Sequence, residues 1–306
     1  MPELPEVETV RTQLEPELRG RTIEQLEVLD PRWSRPVVPE ELSGAVGGRR
    51  IESLGRRGKY LLLTLDDGRV LAMHLRMTGN LLLFDGDERL DATHGRRLYE
   101  GESSSSERHL RARFLLDDGR EVWFTDPRRF GEAFLLEPGG VEGRFQGRVG
   151  IEPLSAEFTP EALGAISAGR TAPLKSFLLD QAGVAGVGNI YADEALFRAR
   201  LHPLSPAGSM RPEHHVALRD AVVAALEAGV AGGGASIDDY RDSRGERGTM
   251  QDEFLVHTRE GEPCVVCATP IQRIVVSGRS TYYCPSCQVR LRRRPRRRGG
   301  ARSRGG

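Results

Sequence analysis

The sequence has no apolar run near the 18 residues that a membrane span requires. It also lacks the basic start and apolar stretch of a secretory signal. These two absences predict a cytoplasmic protein. Cysteine is scarce, with four in 306 residues. In a cytoplasmic chain so few thiols point to metal ligands or free thiols and exclude a disulfide framework. Net charge is missing as well. The 44 Lys plus Arg balance the 44 Asp plus Glu, so the average says nothing of a polyanionic partner. That average hides a division. Residues 288–306 carry nine Arg and no acid, and setting those nine aside leaves 35 basic against 44 acidic residues, a net of −9. Any nucleic-acid site on the body has to be a local basic face on an acidic protein. No internal repeat is evident.

What is present suffices for two domains, each with its own core. After a first helix ending near Leu18, short apolar runs follow at Thr22–Leu29, Arg50–Leu54, Tyr60–Leu65, Val70–Met73, Asn80–Phe84, Arg111–Leu116, Val122–Thr125 and Glu132–Leu136. Asp66-Asp67-Gly68 and Asp117-Asp118-Gly119 separate adjacent runs as hairpin turns do. Eight short strands at this spacing predict a β-sandwich. The polar stretch 85–108, with four serines at 103–106, predicts a long mobile loop. From about Pro153 the pattern turns helical, at 160–168, 174–182, 189–200 and 212–231. Pro160, Pro173 and Pro212 lie at the starts, and Gly183 and Gly232 at ends. The expected division is 1–149 (helix and sandwich), 150–255 (helical), 256–288 (a metal finger) and 289–306 (a disordered Arg-rich tail). Gly150–Leu154 is the expected hinge.

Cys264, Cys267, Cys284 and Cys287 form two Cys-x2-Cys knuckles separated by 16 residues. Each knuckle puts two thiolates on one face of a tight turn, which is a strong zinc signal. No other thiol exists, so the expected site is closed, four-sulfur and structural, with a hairpin between the knuckles. The bland alternative is four unrelated buried cysteines.

The first residues carry chemistry of another kind. If Met1 is removed, Pro2 becomes the N-terminus and offers a secondary amine next to Glu3. A terminal amine of pKa about 7.7–8.0 is roughly a tenth unprotonated at pH 7, against less than about a thousandth for lysine. Attack by such an amine on an aldehyde-level carbon gives an iminium ion, an electron sink for elimination. A carboxylic acid one residue away can protonate a leaving oxygen. The same residues also read as a helix start, with Pro5 at its first position and acids in its first turn.

The decamer Met1–Val10 resembles the N-terminus of formamidopyrimidine-DNA glycosylases, and further motifs continue the resemblance in order to about Gln288. Arg56-Arg-Gly-Lys-Tyr60 matches the family's essential-lysine motif, which implies that Lys59 handles protons and contacts phosphate. His74-Leu-Arg-Met-Thr-Gly79 implies a phosphate neighbour in His74 and an apolar wedge in Met77. Thr125-Asp-Pro-Arg-Arg-Phe-Gly131 implies that Arg128 reads the orphaned base and that Phe130 intercalates. Gly186-Val-Gly-Asn-Ile-Tyr-Ala-Asp-Glu194 is similar to the family's helix–two-turns–helix motif. There the glycines bring backbone amides near a phosphate and Asn189 adds a donor. Arg279, in Ser277-Gly-Arg-Ser280, matches a phosphate-contacting arginine that assists elimination. His109, Arg170 and Lys175 align with DNA-contacting positions, although Leu110-Arg111 after His109 departs from the usual pattern and the Arg170–Lys175 spacing is one residue off. Gly234–Tyr240 also departs from the usual base-capping loop.

The resemblance implies an α+β multidomain fold, with helix plus β-sandwich, then a helical helix–two-turn–helix domain with a zinc hairpin finger. It implies a monomeric, nucleoid-associated DNA glycosylase and abasic-site lyase acting on double-stranded DNA with oxidised purines. Pro2, Glu3, Lys59 and Arg279 would be catalytic, with one structural Zn2+ and no catalytic cofactor. Two other readings stand beside it. One is an endonuclease VIII-like enzyme for oxidised pyrimidines, whose members typically begin Pro-Glu-Gly-Pro where this chain has Pro2-Glu-Leu-Pro5. The other is a non-catalytic DNA-binding homologue.

Overall fold

The computed structural model describes residues 1–84, 107–237 and 240–292. The loop expected at 85–108 therefore lies outside the described residues up to 106, as does the Arg-rich tail from 293 onward.

Helix α1 (Leu4–Leu18) starts the chain, with Pro5 in its first turn and Glu3 as its N-cap. Its apolar side chains reach two cores. Val7, Val10, Leu14 and Leu18 belong to the core of the β domain, whereas Leu4 belongs to that of the helical part. One helix is thus clamped between two hydrophobic clusters, and its N-terminus sits where they meet.

Eight strands follow: β1 (Thr22–Val28), β2 (Arg49–Arg57), β3 (Tyr60–Leu65), β4 (Val70–His74), β5 (Asn80–Phe84), β6 (Leu110–Leu116), β7 (Glu121–Thr125) and β8 (Glu132–Leu136). They hydrogen-bond in the order β5-β7-β6-β1-β2-β3-β4-β8, with each neighbouring pair antiparallel. The β1–β2 seam is short, pairing only Thr22 with Arg50 and Ile23 with Arg49. The sheet folds over at that seam. Ile23, Phe114 and Phe124 from one half share a core with Leu54, Leu63 and Met73 from the other. This is the expected sandwich, and β3 shows its alternation of half-buried and buried residues.

One helix in this region is not among those expected. Between β1 and β2 lies α2 (Pro39–Val46), with Pro39 at its start, Glu40 and Glu41 in its first turn, and Leu42 and Val46 buried. Beyond β8 come α3 (Gly140–Phe145), α4 (Pro160–Ser167), α5 (Leu174–Leu179), α6 (Asn189–Arg198) and α7 (Pro212–Ala231). Helix α5 ends earlier than the expected 182. The Asp180 carbonyl turns to accept from Gly183 N at 2.9 Å and Val184 N at 3.1 Å, closing the chain into a turn. The finger hairpin pairs β9 (Gln272–Val276) with β10 (Arg279–Tyr283). The expectation of a free tail from Val289 on needs correction, because Val289 and Leu291 are docked. Val289 N donates to Arg200 O at 2.9 Å, and Val289 O accepts from His202 N at 3.0 Å. Leu291 N donates to Ser205 Oγ at 3.0 Å. No helix among the described residues is long and apolar enough to cross a membrane.

Candidate active site and nucleic-acid interface

The N-terminus of α1 meets the N-terminus of α6. Glu3 is 2% exposed, and its carboxylate accepts from Ile190 N at 3.0 Å and Tyr191 N at 3.5 Å. Unsatisfied amides and the helix dipole favour a negative charge at that point. Leu4 N donates to Gly186 O at 3.0 Å and locks the two segments together. Gly186 and Gly188 make this approach possible. A Cβ on Gly186, which has φ +77°, would lie 2.6 Å from Leu4 Cβ, and one on Gly188 would lie 2.2 Å from Glu3 Cδ. Here the two glycines admit the start of α1.

Glu6, one turn on, is a site residue that the sequence motifs do not single out. It is 1% exposed and accepts from Glu3 N, Tyr191 Oη and Ala235 N, each at 2.7 Å. Burial and the neighbouring Glu3 push its carboxyl above the usual range, partly offset by those donors. The signal for it is its place three residues after the N-cap, where a carboxylate reaches back to the cap amide.

Lys59 sits in the two-residue turn between β2 and β3. The preceding Gly58 takes φ +57°, and a Cβ on it would lie 3.0 Å from Val149 Cγ1. The lysine is 5% exposed and makes no side-chain hydrogen bond or ion pair among the described residues. Burial lowers its proton affinity, the charges of Glu3 and Glu6 raise it, and Arg279 lowers it again. Those four groups therefore lie within electrostatic reach of one another. Arg279 is exposed at the start of β10, and its guanidinium has no partner among the described residues. An unpaired buried lysine and an unpaired exposed guanidinium within electrostatic reach of two buried carboxylates suit an anionic ligand and proton transfer.

His74 is 7% exposed and accepts at Nδ1 from Arg76 N at 2.9 Å. Burial and the cations Arg76 and Lys59 push it down to about 3. It is neutral near pH 7, with its remaining proton on Nε2 as a donor. Met77 is half-buried on the next turn. On the loop between β7 and β8, Phe130 is 58% exposed, and Arg128 is exposed with no side-chain partner among the described residues. His109 is half-buried, joined to this loop by its carbonyl, which accepts from Asp126 N at 2.8 Å.

The helical side brings one correction. Lys175 is expected to touch DNA, but its side chain is fully buried and pairs with Asp193 Oδ1 at 2.7 Å. Its Nζ also donates to Asn189 O at 2.5 Å. A lysine so enclosed steadies the start of α6; burial lowers its proton affinity and Asp193 raises it. Arg170 is exposed as expected but ion-paired with Asp180 at 2.8 Å, a contact weak enough at a surface to be exchanged. Asn189 Nδ2 donates to Ser280 O at 3.0 Å, tying α6 to the finger next to Arg279. Its Oδ1 is buried without a partner among the described residues. Asp193 further pairs with His257 Nδ1 at 2.9 Å, and Glu194 accepts from Leu255, Val256 and His257 amides at 3.0–3.1 Å. These contacts clamp the segment leading into the finger onto α6.

The four cysteine sulfurs lie within 4.8 Å of one another, with Cys264–Cys287 at 3.9 Å and Cys267–Cys284 at 3.5 Å. Tetrahedral zinc with Zn–S of about 2.3 Å spaces sulfurs about 3.8 Å apart, so the set fits that ion. Val266 N and Cys287 N donate to Cys264 and Cys284 sulfurs at 3.4 Å.

Three family models match the chain in order. Residues 1–133 match the formamidopyrimidine-DNA glycosylase N-terminal domain, 149–241 its H2TH domain, and 261–289 the zinc finger found in FPG and IleRS. The chain belongs to the formamidopyrimidine-DNA glycosylase family. A Chloroflexus aurantiacus formamidopyrimidine-DNA glycosylase is 45% identical over 95% of this chain and 99% of its own. The crystal structure of the Thermus thermophilus MutM (Fpg) protein superposes with TM-score 0.79 at 40% identity, covering 94% of this chain and 98% of that one. A Lactococcus lactis Fpg in complex with DNA containing N7-benzyl-Fapy-dG superposes with TM-score 0.82 at 34% identity, covering 94% and 99%.

Proposed function

We propose that this chain is a DNA glycosylase and abasic-site lyase of base excision repair, acting on oxidised purines in duplex DNA. The observation that carries the reading is the burial of Glu3 on the α6 amides, beside Pro2 and within electrostatic reach of the unpaired Lys59. Removal of Met1 turns the Pro2 nitrogen from a tertiary amide into a secondary amine. That nitrogen attacks C1′ of an extruded nucleotide as the bond from C1′ to the base breaks, and Lys59 supplies the proton that the departing base takes. The Glu3 carboxylate takes the proton that the amine gives up and passes it to the sugar ring oxygen as the ring opens to the iminium. Loss of a C2′ proton then expels the 3′ phosphate, and a second elimination expels the 5′ phosphate. Lys59 and Arg279 hold the phosphates and manage protons. Met77 and Phe130 fill the gap that extrusion leaves, and Arg128 meets the widowed base. The cleft between β-sandwich and helical part would take the DNA, with the protein acting as a monomer. One zinc on the four cysteines would be structural, since four sulfurs leave no open position.

Borohydride trapping on a duplex with 8-oxoguanine opposite cytosine tests this. A covalent protein–DNA adduct mapping to the N-terminal proline is expected. An adduct on Lys59, or no adduct together with no excision, overturns the assignment.

A further inference from the structure

Two chain segments cross from one layer of the sandwich to the other at the same end. One joins β4 to β5 and carries Met77; the other joins β7 to β8 and carries Arg128 and Phe130. The strand pairing brings the bases of the two turns together, with His74 opposite Glu132 and Asn80 opposite Thr125, but it stops short of their tips, which need a tie of their own. Asp126 supplies it. It is fully buried, and its carboxylate accepts from Arg128 N at 3.1 Å, Phe130 N at 2.8 Å and Gly131 N at 2.7 Å. Its fourth donor is the Thr78 hydroxyl from the other turn. The Thr78 oxygen in turn accepts from Arg128 N at 3.3 Å. Gly131 lets the loop close this tightly, since a Cβ there would lie 2.4 Å from Phe124 Cζ.

A carboxylate saturated by four donors, three from one turn and one from the other, is a shared anchor. It fixes the backbone of Arg128 and Phe130 against the residue that follows Met77. Neither Asp126 nor Thr78 has surface to offer a base. We propose that Thr78 and Asp126 are positioning residues that set the preference for the base opposite the lesion, by holding the Arg128 and Met77 turns in one register. This rests on the function proposed above.

The consequence is specific. Removing the Thr78 hydroxyl leaves one carboxylate lone pair unfilled and lets the two turns drift apart, yet leaves Pro2, Glu3 and Lys59 untouched. Asp126→Asn is harsher, because an amide N–H would then face backbone N–H or hydroxyl donors. The test uses the full chain and the variants Thr78→Val, Thr78→Ser and Asp126→Asn. Single-turnover excision is measured for 8-oxoguanine opposite cytosine and opposite adenine, alongside cleavage at a preformed abasic site and the thermal midpoint. For Thr78→Val the cytosine-over-adenine rate ratio should fall about tenfold, the equivalent of one hydrogen bond to a charged group. Abasic-site cleavage should stay near the parent's rate. Thr78→Ser should restore the ratio, and Asp126→Asn should lower it at least as far as Thr78→Val. An unchanged ratio in Thr78→Val overturns the proposal. So does a parallel fall in every rate with the ratio intact, which is what mere loss of stability gives. A parent protein that excises nothing overturns the proposed function itself, and this proposal with it.

Discussion

Burial lowers the proton affinity of both Lys59 and His74, with different consequences. For Lys59 the shift is downward from an ordinary value far above neutrality, so its ammonium gives up its proton more readily than that of a solvated lysine. For His74 the ordinary value of 6.5 falls to about 3, and the charge is gone. In the proposed mechanism the residue would therefore meet a phosphate as a neutral donor, with the charge attraction left to Lys59 and Arg279. The same shift makes a stability prediction. Unfolded His74 takes up a proton as pH falls below 6.5, whereas folded His74 stays neutral down to about 3. The unfolded state binds more protons in that window, so stability is complete above pH 6.5 and is lost as pH falls, by up to about 1.4 kcal/mol per pH unit. His74→Gln, which keeps an acceptor for Arg76 N, should lose this part of the pH dependence. Urea midpoints of parent and variant at pH 7.5 and pH 5.0 measure it. Equal pH sensitivity in the two proteins would mean that His74 titrates as a solvated histidine.

At the scale of elements, the contact between the starts of α1 and α6 decides whether the site exists. Gly188→Ala is the sharpest probe, since its Cβ would lie 2.2 Å from Glu3 Cδ. The displaced carboxylate loses the α6 amides, while both hydrophobic cores remain. Excision should fall about a hundredfold, the cost of roughly an ångström of misplacement at a reacting group, with the thermal midpoint lowered only modestly. Single-turnover rates and a melt separate the two effects, and a rate near the parent's would show that Glu3 does not need those amides. The sandwich strands are legible because apolar runs and Asp-Asp-Gly turns are local signals. The start of α2 is equally local, in Pro39, Glu40 and Glu41, but is easily passed over between two strands. The use of Gly186 and Gly188 is not legible, because the side chains that occupy their missing Cβ space come from residues 3 and 4. Lys175 misleads for the same reason. Its charge is plain in the sequence, but the partner that takes that charge inside is Asp193 on the neighbouring helix.

Over the whole molecule, charge is divided between an acidic body and a basic end. Residues 289–291 are docked on the helical part, so cutting after Gln288 would damage packing as well as remove charge. Cutting after Arg292 removes seven of the nine arginines in 288–306 and spares those contacts. None of the seven has a catalytic part in the proposed mechanism, so their effect should lie in sequence-independent attraction to phosphates on a body of net −9. Each phosphate neutralised adds about −0.9 to the slope of log affinity against log salt, which puts the upper limit for seven near −6. The truncated protein should bind undamaged duplex more weakly, with a shallower salt slope, and should find lesions more slowly at low salt. Its single-turnover excision at saturating protein should equal that of the full chain. Binding isotherms between about 50 and 200 mM salt, a range over which about six contacts change affinity by some three decades, resolve the difference. An unchanged slope would mean that the arginines do not meet DNA. A slower single-turnover rate would mean that they reach the site, and that binding and chemistry are not divided between the basic end and the body.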